Sequence, residues 1–513
     1  MSRKFRTALA LLLVAALFGY RYLRDHTPVA DAAAPGAATA TASTPAPTRK
    51  LGRIAFTPCT LAPQFGAASV EAQCGSLSVA ENPALPDGRR IALNIAWVPA
   101  DEEADVLPDP VFMLAGGPGQ AATDSYPQVA AAFHEVLKKR NVILLDQRGT
   151  GHSNPLACKN DGGTGADESA DAARRFAERC RALLSKHADL RFYTTTDAVR
   201  DLDGVRKAIG AAQVNLVGIS YGTRVAQQYA MRHPHTTRTI VLDSVAPNTL
   251  FVGNEFSGNL EAALDLQFGQ CGKIPACARA LGNPRSRLDA LMAKLRSDPP
   301  LVRYRDASSG EIKEQRLMPS DVAGLMRMYA YTPLASSLLP LQLNEAANGR
   351  YEGLMALSRM LGSAMSDQMA FGMQLSVLCS EDAAGFKADP SAAGTLLGNE
   401  FSESLGAQCQ VWPKGAMPAD FHAPLSSKVP ALLMTGEFDP VTPPRYGDAV
   451  VKTLVNGRHL VARGQGHNVI GAGCMPKLVA QFIDSADAKA LDAKCLDTLP
   501  YTPPFTSYNG WEP

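Results

Sequence analysis

The chain is poor in charge. Only 19% of its 513 residues are Asp, Glu, Lys or Arg, and 50 basic against 49 acidic residues leave a net charge of +1. Neutralising many phosphates needs a basic excess, so this balance argues against a nucleic-acid partner. Aromatics are also sparse, at 7%, yet hydrophobic residues make up 46%. That is enough for a large core and too much for a disordered or collagen-like chain. No internal repeat with a period of about 20 to 50 residues is evident. The sequence has no P-loop, no dinucleotide-binding glycine fingerprint and none of the Cys-x-x-Cys pairs of a zinc or thioredoxin-like centre, so no metal and no other cofactor is expected.

The N-terminal apolar stretch, Ala8 to Tyr20, is shorter than the roughly 20 residues of an ordinary membrane span. Preceded by Ser2-Arg3-Lys4-Phe5-Arg6 and followed by the small-residue site Ala30-Asp31-Ala32, it reads as a signal peptide. Arg21 and Arg24 close the stretch and keep an uncleaved membrane anchor as the alternative. Residues 1–26 are therefore expected to be signal or anchor. Residues 27–49, mostly Ala, Thr, Pro, Ser and Gly, are expected to be a disordered linker, because they carry too little apolar surface to offset the entropy of ordering. Either way the folded body is exported to the periplasm or beyond, where disulfides persist. The ten cysteines fall, in chain order, into five local couples. These are Cys59 with Cys74, Cys158 with Cys180, Cys271 with Cys277, Cys379 with Cys409, and Cys474 with Cys495.

Short, mostly apolar runs at Pro110–Leu114, Val142–Leu145, Val214–Val217, Thr239–Leu242 and Ala431–Thr435 alternate with helical stretches. Buried strands separated by helices predict an α/β fold, a mostly parallel sheet covered on both faces. Active sites in such sheets lie beyond the carboxyl ends of the strands.

At one such end stands Gly218-Ile219-Ser220-Tyr221-Gly222, a G-x-S-x-G between a strand and a helix. Flanking glycines permit a turn sharp enough to expose the serine hydroxyl, and the helix N-terminus favours developing negative charge. Ser220 is thus the candidate nucleophile. A serine needs a histidine to take its proton and a carboxylate to orient that histidine. Asp439 and His467 each follow a late strand-like run, in the chain order of this elbow architecture. Glu437 competes as the acid but sits nearer the strand end, and His152 and His459 lie before the elbow and before the last strand. Gly116-Gly117-Pro118-Gly119 ends another strand, so the amides of Gly117 and Tyr221 are the candidate oxyanion hole.

Gly116-Gly117-Pro118-Gly119, Asp146-Gln147-Arg148-Gly149-Thr150-Gly151-His152-Ser153 and Gly218-Ile219-Ser220-Tyr221-Gly222 together resemble the prolyl and tripeptidyl aminopeptidase family of α/β hydrolases. Gly436, Asp439, Thr442-Pro443 and Gly466-His467 match its late segments. Prolyl aminopeptidases carry histidine before the GGPG motif, whereas this chain has Ala115 and is closer to the secreted tripeptidyl-type branch. The resemblance implies a serine exopeptidase acting on the free N-terminus of short peptides. It also implies a hydrolase core at 50–245 and 426–513, interrupted by a helical cap at 246–425 that restricts the mouth to short chains. Helical runs at Asn259–Phe268, Ser286–Arg296, Pro319–Tyr329, Leu338–Ala347 and Tyr351–Met365 suit such a cap.

An aminopeptidase must receive a terminal ammonium. Glu381, in a Cys-x-Glu-Asp segment like that of the secreted relatives, is the expected acceptor. Asp146 and Arg148 are expected to brace the loop around the site. A secreted carboxylesterase with the same triad, or a non-catalytic binding protein on a hydrolase fold, would share most of these features. The oligomeric state stays open.

Overall fold

Nine of the ten strands in the main sheet are buried on at least part of their length because hydrophobic residues dominate them, and the central five are buried throughout or nearly so. The computed structural model describes residues 48–63, 67–158, 169–306 and 309–511. Residues 1–26 and nearly all of the expected linker lie outside them. The expected linker, 27–49, overlaps by one residue with strand β1, Arg49–Leu51. The other strands are β2 (Ile54–Leu61), β3 (Val70–Ala80), β4 (Arg90–Val98), β5 (Val111–Leu114), β6 (Val142–Leu145), β7 (Val214–Ile219), β8 (Thr237–Asp243), β9 (Leu301–Arg305), β10 (Ile312–Arg316), β11 (Ala431–Gly436) and β12 (Gly457–Ala462).

The sheet order is β1-β2-β3-β4-β6-β5-β7-β8-β11-β12. β1 to β4 and the β4–β6 pair are antiparallel, and every pairing from β6 to β12 is parallel. β5 and β7 are therefore neighbours, which brings the GGPG loop beside the serine turn. Apolar clusters fill both faces of the sheet, one around Phe112, Leu216 and Ile240 and the other around Met113, Val217 and Val241, as strands buried on two sides require.

The segment between β8 and β11 divides differently from the expected single cap. Residues from Leu260 to Met355 build an apolar cluster of their own, from helices Phe256–Lys273, Pro284–Ser297, Pro319–Tyr329 and Leu339–Ala347. The cap is not all helical, for β9 and β10 pair as an antiparallel hairpin whose Val302 and Tyr304 enter that cluster. Helices Phe371–Glu381 and Glu400–Val411 belong instead to the core: Met373, Leu378, Leu405 and Trp412 pack with Leu184, Tyr193 and Tyr221. The core thus resumes well before the expected boundary at residue 425, because these helices cover the sheet.

All five cysteine couples are disulfides: Cys59–Cys74, Cys158–Cys180, Cys271–Cys277, Cys379–Cys409 and Cys474–Cys495. Among the described residues no helix is long and apolar enough to cross a membrane.

Candidate active site

Ser220 stands between β7 and the helix Tyr221–Arg232 with φ 55° and ψ −121°, a conformation rare for a residue with a side chain. Two glycines make the turn possible. A Cβ added at Gly218 would lie 2.3 Å from the Gly222 carbonyl oxygen, and one at Gly222 would lie 2.3 Å from that of Leu114. The Ser220 amide donates to the Asp243 carbonyl at 2.8 Å, and the Ser220 carbonyl accepts from Thr223 N and Thr223 Oγ1 at 2.9 and 2.6 Å. The GGPG loop passes beside the serine, since a Cβ on Gly116 would lie 3.2 Å from Ser220 Cβ. Tyr221 opens the helix, so its N–H has no partner within it.

His467 and Asp439 meet directly: Nδ1 lies 2.8 Å from Oδ2 and 3.0 Å from Oδ1. Asp439 is buried and also accepts from Val441 N at 2.9 Å, Thr442 N at 2.8 Å and Thr442 Oγ1 at 2.9 Å. Burial works against its charge, but the charge and hydrogen bond of His467, with the two amides, outweigh it and hold the carboxyl below its ordinary value. Burial likewise favours the neutral imidazole of His467, yet Asp439, aided by Asp243, lifts its pKa above the ordinary value.

Three features of this site have no motif in the sequence. Asp243, at the end of β8, accepts from Val469 N and Ile470 N and fixes the loop after His467, while burial pushes its carboxyl up to about 6. Ser244 Oγ accepts from Asn468 N at 2.7 Å. From the cap, the Tyr331 carbonyl accepts the His467 backbone N–H at 2.8 Å, and the Tyr331 ring meets the imidazole edge-on at 5.0 Å between centroids. A charged residue closing a buried strand was the one available signal for Asp243. Tyr331 offered none.

The competing residues have other tasks. Glu437 accepts from Gly464 N and from the Tyr501 hydroxyl, and His459 bonds Asp448 and Thr435. Asp146 accepts from Thr123, Asn94 and His152 N, and Arg148 forks onto Asp201 at 2.6 and 2.7 Å, so both hold loops together.

Glu381 departs from its expected role. Its side chain is fully buried beneath the elbow helix, with Oε1 accepting from Thr195 N at 2.7 Å and Oε2 from Thr195 Oγ1 at 2.8 Å. Arg224, also fully buried, bonds Asp382 at 3.0 Å and lies 4.0 Å from Glu381. One guanidinium cannot neutralise two carboxylates, and burial pushes the Glu381 carboxyl up to about 8. A carboxyl buried beneath the elbow helix with both oxygens bonded by Thr195 is not open to an ammonium arriving at the mouth. Through Thr195 Oγ1, which lies 2.6 Å from the Tyr221 hydroxyl, Glu381 supports the residue next to Ser220.

The chain matches the family described as α/β hydrolase fold over residues 109–270 and the TAP-like protein family over residues 394–495. Serine protease Hip1 of Mycobacterium tuberculosis is 26% identical over 498 residues, covering 87% of this chain and 92% of that protein. Tripeptidyl aminopeptidase of Streptomyces lividans is 30% identical over 190 residues, 34% of this chain and 35% of that protein. Proline iminopeptidase of Xylella fastidiosa is 31% identical over 136 residues, 26% of this chain and 32% of that protein. The fold and these matches define a serine hydrolase of the α/β-hydrolase fold. Within that class the chain is similar to tripeptidyl and prolyl aminopeptidases, and its residues 394–495 match the TAP-like family.

Proposed function

We propose that this protein is an exported serine aminopeptidase that removes one or a few residues from the free N-terminus of short peptides. The observation that carries the reading is the His467–Asp439 pair, bonded at 2.8 Å beyond the same sheet edge as the strained Ser220. Ser220 Oγ attacks the peptide carbonyl while His467 Nε2 takes its proton. Asp439 holds the imidazole in the tautomer with a proton on Nδ1 and stabilises its cationic form. The oxyanion is received by the amides of Gly117 and Tyr221, each such donor being worth about 3 kcal/mol in transition-state stabilisation. His467 then protonates the leaving amine, and water, activated by the same base, releases the acyl group from Ser220.

Two further supports bear on the finer claims. Relatives named tripeptidyl aminopeptidase and proline iminopeptidase match 190 and 136 residues of this chain, and the α/β-hydrolase match over residues 109–270 includes Ser220 and the GGPG loop. Five disulfides, with no free cysteine among the described residues, suit an oxidising compartment outside the cytosol. The test is one panel of chromogenic amides with free and with blocked N-termini, run beside a simple ester. Cleavage of the free-amine amides, and of the blocked ones far more slowly, is expected. Cleavage of the ester alone would replace the peptidase reading with a carboxylesterase.

A further inference from the structure

Arg327 lies in the last turn of the cap helix Pro319–Tyr329, four residues before Tyr331. Tyr331 follows two residues beyond the end of that helix and meets His467 through its carbonyl at 2.8 Å and through its ring. The guanidinium thus stands near the candidate base, and its positive charge works against protonation of the imidazole. It lies 4.6 Å from the centre of the Phe256 ring and 5.1 Å from that of Phe401, and these two rings are themselves in contact at 5.2 Å. The aromatic pair holds the plane of the guanidinium and takes none of its N–H donors.

Arg327 differs from other arginines of the chain in what it lacks. Arg224 is paired with Asp382, Arg148 with Asp201 and Arg445 with Glu255. Among the described residues Arg327 makes no ion pair, although it is only partly exposed. A half-buried guanidinium, stacked on aromatics, with its forked edge unused, is built for a carboxylate that comes from elsewhere. Its position says which part of a substrate brings it. The general base hands its proton to the leaving amine, so the leaving fragment lies on the His467 side of the scissile bond.

We infer that Arg327 is a specificity-determining residue that receives a carboxylate of the leaving fragment. Either the fragment's own C-terminal carboxylate or an Asp or Glu side chain within it supplies that chemistry. The inference rests on the peptidase reading above. It would make the enzyme favour short peptides with free C-termini, since only in them does a C-terminal carboxylate fall close to the scissile bond.

The experiment uses the full-length protein and one set of short peptides sharing a scissile bond. One ends in a free acid, one in a carboxamide, and one in a carboxamide with Glu in the leaving fragment. The free acid is expected to exceed the plain amide in kcat/KM by about tenfold, the size of one charge-assisted hydrogen bond at a partly exposed site. In Arg327→Gln that ratio should collapse to about one, and Arg327→Lys should keep part of it. A Glu-containing amide better than the plain amide, with the free acid no better, identifies the side chain as the source; a free acid better than both amides identifies the C-terminus. Should Arg327→Gln fail to fold, product inhibition of the wild-type enzyme decides, with the free-acid leaving fragment expected to bind more tightly than its amide. Equal rates on acid, amide and Glu-amide, or an unchanged ratio in Arg327→Gln, would overturn this inference alone. Failure to cleave any of the three peptides, with an ester still hydrolysed, would overturn the peptidase reading and this inference with it.

Discussion

The backbone N–H of His467 donates to the carbonyl of Tyr331 at 2.8 Å, so the candidate base is held by the cap as well as by the core. The approach is close enough to exclude a side chain: a Cβ on Gly466 would lie 2.2 Å from that carbonyl oxygen. Asn259 makes a second bridge, donating from the cap helix Phe256–Lys273 to the Val441 carbonyl at 2.8 Å, beside Asp439. A third joins Ala370 N to the Gly119 carbonyl at 3.0 Å. Each of the three loops that shape the site is therefore tied to the segment between β8 and β11.

Gly466→Ala should force the Tyr331 carbonyl away and deprive His467 of its backbone acceptor. Overpacking of this kind costs about 1–3 kcal/mol of stability. A displacement of the base by about 1 Å costs roughly 100-fold in rate. Urea unfolding and kcat, measured on the same preparation, check both. Unchanged kcat with lowered stability would show that the cap contact does not position the imidazole.

Ser220→Ala should abolish turnover and labelling by a fluorophosphonate probe. Asp439→Asn should leave a folded protein that loses about 10⁴-fold in kcat, because the orienting carboxylate and its charge are gone while the nucleophile remains. Retained labelling in the Ser220 variant would move the nucleophile elsewhere.

The acid limb of kcat/KM should lie above pH 6.5, the ordinary imidazole value, because the pKa of His467 is raised. Activity requires the neutral base, so it is lost as the pH falls through that raised pKa. In Asp439→Asn the charge that raises it is absent, and the limb of the residual activity should move to lower pH. A limb in the same place in both proteins would mean that it reports another group.

Glu381→Gln should flatten the pH dependence of stability without removing the fold. Between about 4.5 and 8 the unfolded chain has released this proton and the native protein still holds it. The native state then binds more protons, and stability falls as the pH rises. The glutamine keeps an acceptor for Thr195 N and carries no titrating proton. Urea midpoints at pH 5 and pH 8 should therefore differ less in the variant than in the wild type.

Much of this arrangement was legible in the sequence where it depends on local pattern. Val142–Leu145 and Pro319–Tyr329 have the bounds expected of an apolar strand and of a helical run in the cap. Ser220 was marked by glycines that a turn of this sharpness requires, and the cysteine couples by their proximity in sequence. Glu381 was misread because its chemistry depends on partners far away. Thr195 is 186 residues distant, and only packing decides whether a carboxylate at a helix end faces the mouth or the underside of the elbow. Arg327 and Tyr331 were missed for the same reason, since neither belongs to a motif and both acquire meaning only where the cap meets His467. The β9–β10 hairpin is two five-residue strands, too short for alternation to stand out amid helical sequence.

The helix Phe371–Glu381 is fixed at both ends. Ala370, just before it, bonds the GGPG loop, and Glu381, its last residue, bonds Thr195 behind the elbow. Its 11 residues make it a ruler of about 16 Å, and it sets the spacing between the two halves of the candidate oxyanion hole. A stretch that reads in sequence as mere passage from cap to core is thus a metric element. Inserting one residue would turn one anchor by about 100° against the other, so this helix should tolerate changes of side chain far better than changes of length.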